Sequence, residues 1–292
     1  YTGKGAVTTI AGGNGYGSAA NQLHNPYGVA VDASGNVYVV DGSNHRIQKW
    51  APGATTGTTV AGGNGYGSAA NQLSGPNGVA VDASGNVYVA DPSNYRIQKW
   101  APGASEGTTV AGGNGSGSAA NQLSYTNGVA VDASGNVYVS DPGMPAENNG
   151  NRIQKWEPGA SEGTTVAGGN GSGSAANQLS YTNGVAVDAS GNVYVSDASN
   201  NRIQKWAPGA TTGTTVAGGN GMGSAANQLS SPKGVAVDAS GNVYVADTYH
   251  HRIQKWAPGA TTGTTVAGGN GSGSAANQLN YPYGVAVDAS GN

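Results

Sequence analysis

A phrase of twelve residues, GVAVDASGNVYV, occupies Gly28–Val39 and returns without a substitution at Gly78, Gly128, Gly184 and Gly234. A sixth copy starts at Gly284 and stops at Asn292. The spacing is 50 residues, which divides the chain into units 1–50, 51–100, 101–156, 157–206 and 207–256 and a partial unit 257–292. The third unit carries six extra residues inside PGMPAENNGN. A period of this length marks a repeat architecture, in which one supersecondary unit buries its apolar faces against the next copy of itself. The fold of the chain is therefore the stacking rule of one unit.

Each unit reads as four short strands. In GVAVD, Val29 and Val31 alternate with the small Ala30. ASGN is a hairpin turn, across which Asp32 can hydrogen-bond. VYVVD carries apolar residues on both faces, the pattern of a sheet covered on both sides. RIQKW is the third strand, and a Pro52-Gly53 turn leads to TTVAG, the fourth. A glycine-rich link then ends in SAANQL, predicted as one helical turn capped by Ser18 and anchored by Leu23. A lone sheet with two apolar faces cannot stand in water, and radial stacking about a common axis meets that need. The small side chains of GVAV suit the crowded axis; Tyr and Trp suit the periphery, where sheets diverge.

Composition narrows the function classes. There is no cysteine, so neither a disulfide framework nor a thiolate metal site is open to the chain. No apolar run reaches the length of a membrane span. Ten of the twelve basic residues fall in the RIQKW strands, leaving Lys4 and Lys233, so most of the charge belongs to the scaffold. AGGNGYG (11–17) lacks the Lys-Ser/Thr that completes a phosphate loop and recurs in every unit, which makes it a flexible turn. The pairs Asp41/Arg46, Asp91/Arg96, Asp141/Arg152, Asp197/Arg202 and Asp247/Arg252 also repeat, and are expected to be structural, the acid capping a turn and the arginine holding the hairpin.

The units disagree chiefly in two places. Before the first strand stand HNPY, SGPN, SYTN, SYTN, SSPK and NYPY; after the second stand GSNH, PSNY, PGMPAENNGN, ASNN and TYHH. In an up-and-down sheet both links emerge on the same side of the disc, where loops on a rigid scaffold commonly carry binding. This face gathers His24, Tyr27, His45, Tyr95, Tyr125, Tyr181, Lys233, Tyr249, His250, His251, Tyr281 and Tyr283, side chains suited to rigid amphipathic contacts with a protein, peptide or glycan. Lys233 is the one base placed there, too little positive charge for nucleic acid.

The string Pro-x-Gly-Val-Ala-Val-Asp-x-x-Gly-Asn-Val-Tyr-Val-x-Asp-x-x-Asn-x-Arg-Ile, with Asp41, Asn44 and Arg46 as its specific part, resembles the NHL repeat over essentially the whole chain. The resemblance implies an all-β, six-bladed propeller of four-stranded antiparallel blades. The last blade is expected to be incomplete, lacking its second and third strands, with Val7–Gly12 supplying its fourth. On this expectation the chain is a fragment of a larger one.

The reading that follows is a non-catalytic binding scaffold, without cofactor, holding a protein, peptide or glycan on the variable face. Two neighbouring units are identical over Pro102–Asp141 and Pro158–Asp197, loops included, whereas catalysis calls for unlike residues converging from different blades. Two alternatives stand beside it. Peptidyl-hydroxyglycine amidating lyase is an NHL-type propeller with a His-ligated zinc, and His24, His45, His250 and His251 are the candidate ligands for such a metal enzyme here. The other alternative is a regularised propeller with no specific ligand. Low charge and Asn-Gly-Ser patterns at Asn114, Asn170 and Asn270 point to an extracellular or cell-surface setting.

Overall fold

Sharp reversals, rather than long elements, organise the chain. The computed structural model describes residues 7–143 and 151–292; Lys4 and residues 144–150 of the insertion lie outside them. In the first blade, β1 (Pro26–Val31), β2 (Val37–Asp41), β3 (Arg46–Trp50) and β4 (Thr58–Gly62) form one antiparallel sheet in sequence order. The turn between β1 and β2 is made by Asp32, whose Oδ1 accepts the Ser34 and Asn36 N–H groups at 2.9 Å while Oδ2 takes the Tyr38 hydroxyl at 3.0 Å. A short 3-10 turn, Gly42–Asn44, joins β2 to β3. The same four strands recur between Val79 and Gly112, Val129 and Gly168, Thr182 and Gly218, and Val235 and Gly268.

The core lies between blades rather than within them. Tyr38, Val40, Ile47 and Ala61 of the first blade meet Val79, Val87, Val89 and Trp100 of the second, with Leu73 of the intervening link wedged among them. Three further clusters repeat this arrangement around the disc. Burying each such Val, Ile or Leu contributes about 1.5–3 kcal/mol, and none of it is available to a blade on its own. At the axis the inner strands come so close that a Cβ on Gly28 would lie 2.7 Å from the Asn77 carbonyl oxygen. The Gly28 N–H instead donates to that oxygen at 3.0 Å. Only glycine allows both, which explains why every copy of the phrase begins with it.

The number of blades differs from the expectation. Among the described residues there are five complete four-stranded blades, and the sixth unit builds no sheet: neither 284–287 nor 7–12 is a strand. A strand is a partnership, and VYV and RIQKW, which would supply the ladder, have no sixth copy. Gly284 nevertheless sits at the axis between its neighbours, a Cβ on it lying 2.9 Å from the Tyr27 carbonyl oxygen. The SAANQL link also departs from expectation. It is a single turn closed by Gln22 N–H to the Ala19 carbonyl (3.0 Å), not a helix, and Ser18 caps nothing. Side-chain amides hold the loop before it. Asn14 Nδ2 donates to the Asn21 carbonyl at 3.0 Å and Gln22 Nε2 to the Asn14 carbonyl at 3.0 Å, so AGGNGYG is a pinned lobe rather than a free turn.

Candidate functional site

The acid at the end of β2 organises each blade's outer link. Asp41 Oδ1 accepts the His24 backbone N–H at 2.7 Å, and Asn44 Nδ2 approaches Asp41 Oδ2 at 2.8 Å. Arg46 Nε lies 2.7 Å from the same oxygen and passes its other donors to the Ala19 and Gln22 carbonyls. The corresponding separations are 2.8 Å for Asp91–Arg96, 3.0 Å for Asp141–Arg152, and 2.7 Å for both Asp197–Arg202 and Asp247–Arg252. These buried charges point along the sheet and into the glycine-rich lobe, leaving the loops beyond them free to differ.

Among those loops, the residue before each arginine reaches across to the following blade. His45 Nδ1 accepts the Gly75 N–H at 3.1 Å, Asn201 Oδ1 accepts that of Ser231 at 2.9 Å, and His251 Nδ1 that of Tyr281 at 3.0 Å. Asn151 does the same for Tyr181. The residues so held are all left-handed, with φ of 61° at Gly75, 54° at Tyr181, 47° at Ser231 and 45° at Tyr281. For the non-glycine residues this conformation costs on the order of 1 kcal/mol, which the hydrogen bond offsets. Tyr95 occupies the equivalent position and makes no such bond, and its counterpart Tyr125 is not left-handed.

The histidines are not brought together. His24 is exposed, its ring 5.7 Å from that of Tyr16. His45 and His251 are engaged in the contacts just described, and His250 Nδ1 lies 3.1 Å from Asp247 Oδ2, standing where units 1, 2 and 4 have asparagine. Among the described residues no three His, Cys, Asp or Glu side chains gather as metal ligands.

The aromatic residues form two groups. At the rim, Tyr249 and His251 both meet Tyr281, at centroid separations of 5.9 and 4.5 Å. At the axis, Tyr27 meets Tyr283 edge-on at 5.1 Å. Burial, with Tyr181, Tyr27 and Tyr125 close by, pushes the Tyr283 hydroxyl up to about 12. Lys233 Nζ stands over the rings of Tyr181 and Tyr283 at 4.8 and 5.7 Å. Tyr125 and Tyr181 remain 48% and 52% exposed at the mouth of this cluster.

A cavity of about 70 Å³ opens beneath, on the axis itself, and is lined by all six units. Sequence reasoning singled out Lys233 and Tyr283, which line it, but missed Asn77, Asn127 and Asn183, which line it too. The signal was in the column just before each inner strand, which reads Tyr27, Asn77, Asn127, Asn183, Lys233, Tyr283 with no aliphatic residue in it. One step earlier, Thr126 and Thr182 replace the prolines of units 1, 2, 5 and 6, and their hydroxyls are buried without a hydrogen-bond partner. Larger hollows of 710, 830 and 620 Å³ lie between the outer strands of successive blades. Their walls are repeat residues such as Thr108, Thr164 and Thr214 facing Trp156, Trp206 and Trp256, so they follow from the divergence of the blades.

Sheets arranged radially around a narrow axis define a β-propeller. Residues 23–50, 73–100, 179–206 and 229–256 match the NHL repeat, so the chain is a β-propeller carrying NHL repeats. No curated protein matches it. Among solved structures, a chain in the nidogen/laminin complex superposes with a TM-score of 0.67 at 19% identity, covering 91% of this chain and 86% of that one. A Bacteroides thetaiotaomicron VPI-5482 protein of unknown function gives 0.69 at 19%, covering 97% and 70%. XC5397, a gluconolactonase from Xanthomonas campestris, gives 0.65 at 16%, covering 92% and 82%. At these identities the likeness is one of fold.

Proposed function

We propose that the protein is a non-catalytic binding module that holds a protein, peptide or glycan on the variable face. One observation carries the reading: the letters that differ between units converge there, while the shared letters are spent on sheets, turns and buried ion pairs. Tyr125, Tyr181, Lys233 and Tyr283 come from four different units and meet around the axis. Exposed tyrosines beside a single cation suit a ligand with both flat and polar parts. The propeller of the nidogen/laminin complex lends the reading support by fold alone. Against a metal-dependent enzyme stands the separate engagement of each described imidazole. An extracellular setting is part of the same proposal.

A combined glycan and peptide array probed with the parent chain and with Tyr125→Ala/Tyr181→Ala tests it. The parent is expected to give discrete hits, and the double variant to lose at least tenfold in signal with a thermal midpoint within about 2 °C of the parent, both side chains being exposed. An array without hits would favour the regularised scaffold with no ligand, and hits indifferent to the double substitution would move binding off this face.

A further inference from the structure

The axis carries one positive charge with nothing opposite it. Lys233 is half-buried, and among the described residues it makes no ion pair. The tyrosine rings beside it offer their π faces and leave the ammonium donors without an oxygen. Burial accordingly holds its pKa below the ordinary lysine value. The preceding member of the column, Asn183, is 2% exposed, and its Nδ2 has no hydrogen-bond partner. Its Oδ1, by contrast, is already approached by the Tyr283 hydroxyl at 3.4 Å. A buried N–H group left without an acceptor is costly and is rarely left so in folded proteins.

The rest of the ring is satisfied internally. Asn77 Nδ2 turns to Asn127 Oδ1 at 3.4 Å, and Asn127 Nδ2 to the Thr182 carbonyl at 3.1 Å. Among the described residues no carboxylate lines the cavity, so a cation would find no counter-charge from them. What remains is an ammonium and an unpartnered amide donor on adjacent positions of one ring, bordering a space of about 70 Å³. That space suits a group of a few heavy atoms rather than a whole ligand.

We infer that the axial cavity receives a carboxylate group, one oxygen taking Lys233 Nζ and the other Asn183 Nδ2, while the body of the ligand rests on Tyr125 and Tyr181. The inference rests on the variable face being the binding face, and adds the chemistry that face selects. A charge-assisted pair of this kind is short and directional. The carboxylate can be presented by a uronic acid or by an acidic amino-acid side chain.

Calorimetric titration of the whole chain with sodium glucuronate, glucose and N-acetylglutamate N-methylamide tests it. At least one of the two carboxylates is expected to bind, with glucose at least tenfold weaker. Glucuronate alone would identify a sugar source, and the glutamate derivative alone a peptide source. Lys233→Gln should lose at least tenfold in affinity for the bound carboxylate with its melting curve unchanged, Lys233→Arg should retain part of it, and Asn183→Leu should weaken it independently. Absence of binding by both carboxylates, glucose binding as well as glucuronate, or undiminished binding to Lys233→Gln would each overturn the inference. Array hits that survive Lys233→Gln but vanish in Tyr125→Ala/Tyr181→Ala would sink the carboxylate site alone and leave the binding face standing.

Discussion

At the scale of single residues, the repeats supply their own controls. The position before each arginine holds His45, Tyr95, Asn151, Asn201 or His251, and all but the tyrosine accept a hydrogen bond that secures the following unit's loop. Replacing His45 by the residue that unit 2 carries, His45→Tyr, removes the bond to Gly75 and leaves that N–H to water. The expected loss is about 1 kcal/mol, read as a lower urea midpoint at unchanged slope. His45→Asn copies units 3 and 4 and should retain most of that stability. Equal losses in the two variants would mean that the imidazole acts by its bulk and not by its nitrogen. These bonds also explain why the histidines invited a metal reading from sequence. Imidazole was chosen for its lone pair, and the partner was a backbone N–H thirty residues on, which no local spacing reveals.

At the scale of the element, the hairpin turn between the first two strands couples an acid to a phenol. Burial works to raise the pKa of Asp32, but hydrogen bonds from Asn36, Tyr38 and Ser34 together bring it below the ordinary value of 3.8, and Asp82, Asp132, Asp188 and Asp238 follow suit. A carboxylate lowered on folding contributes stability that is present above the unfolded value and lost as pH falls through the folded one. For the phenols the sign is opposite. Tyr38, Tyr88, Tyr138 and Tyr194 are pushed up from 10.0 to about 12 by burial and by the neighbouring carboxylate, so the unfolded chain ionises first. The hairpin acids should therefore withdraw stability below about pH 4, opposed in part by Asp91 and Asp197, which burial raises, and stability should decline again as pH rises from 10 towards 12. Urea midpoints across both ranges check this, and Tyr88→Phe should flatten the alkaline decline in proportion to one phenol of five, Tyr283 at the axis being the fifth. An alkaline limb unaffected by that change would place its origin elsewhere. The four strands of each blade were legible in the letters because the period-two pattern and the turn residues are local. The fate of SAANQL was not, since Gln22 reaches back to Asn14 and so spends on a lobe the residues that a helix would have used.

At the scale of the whole molecule, the two-sided valine strands made radial stacking readable, and the glycine at the head of each inner strand shows how tight that stacking is. The blade count was not readable from the period alone. Six copies of GVAVD were counted as six blades, yet the copy at Gly284 has no VYV strand to pair with, and the sheets number five. The axial site was half legible for a similar reason: Lys233 and Tyr283 stood out as unusual letters, whereas Asn77, Asn127 and Asn183 looked like ordinary loop residues until the ring brought them to one cavity. The account as a whole divides the chain into shared letters that fold and differing letters that bind. It is tested most directly by a chain in which every variable link takes one spelling, SGPN before the first strand and PSNN after the second, the final Asn keeping the bond to the next blade's loop, followed by melting and the same array. Such a chain is predicted to melt cooperatively within about 5 °C of the parent, since the shared core is untouched, and to give none of the parent's hits. Retention of those hits, or failure of the uniform chain to fold, would contradict the division.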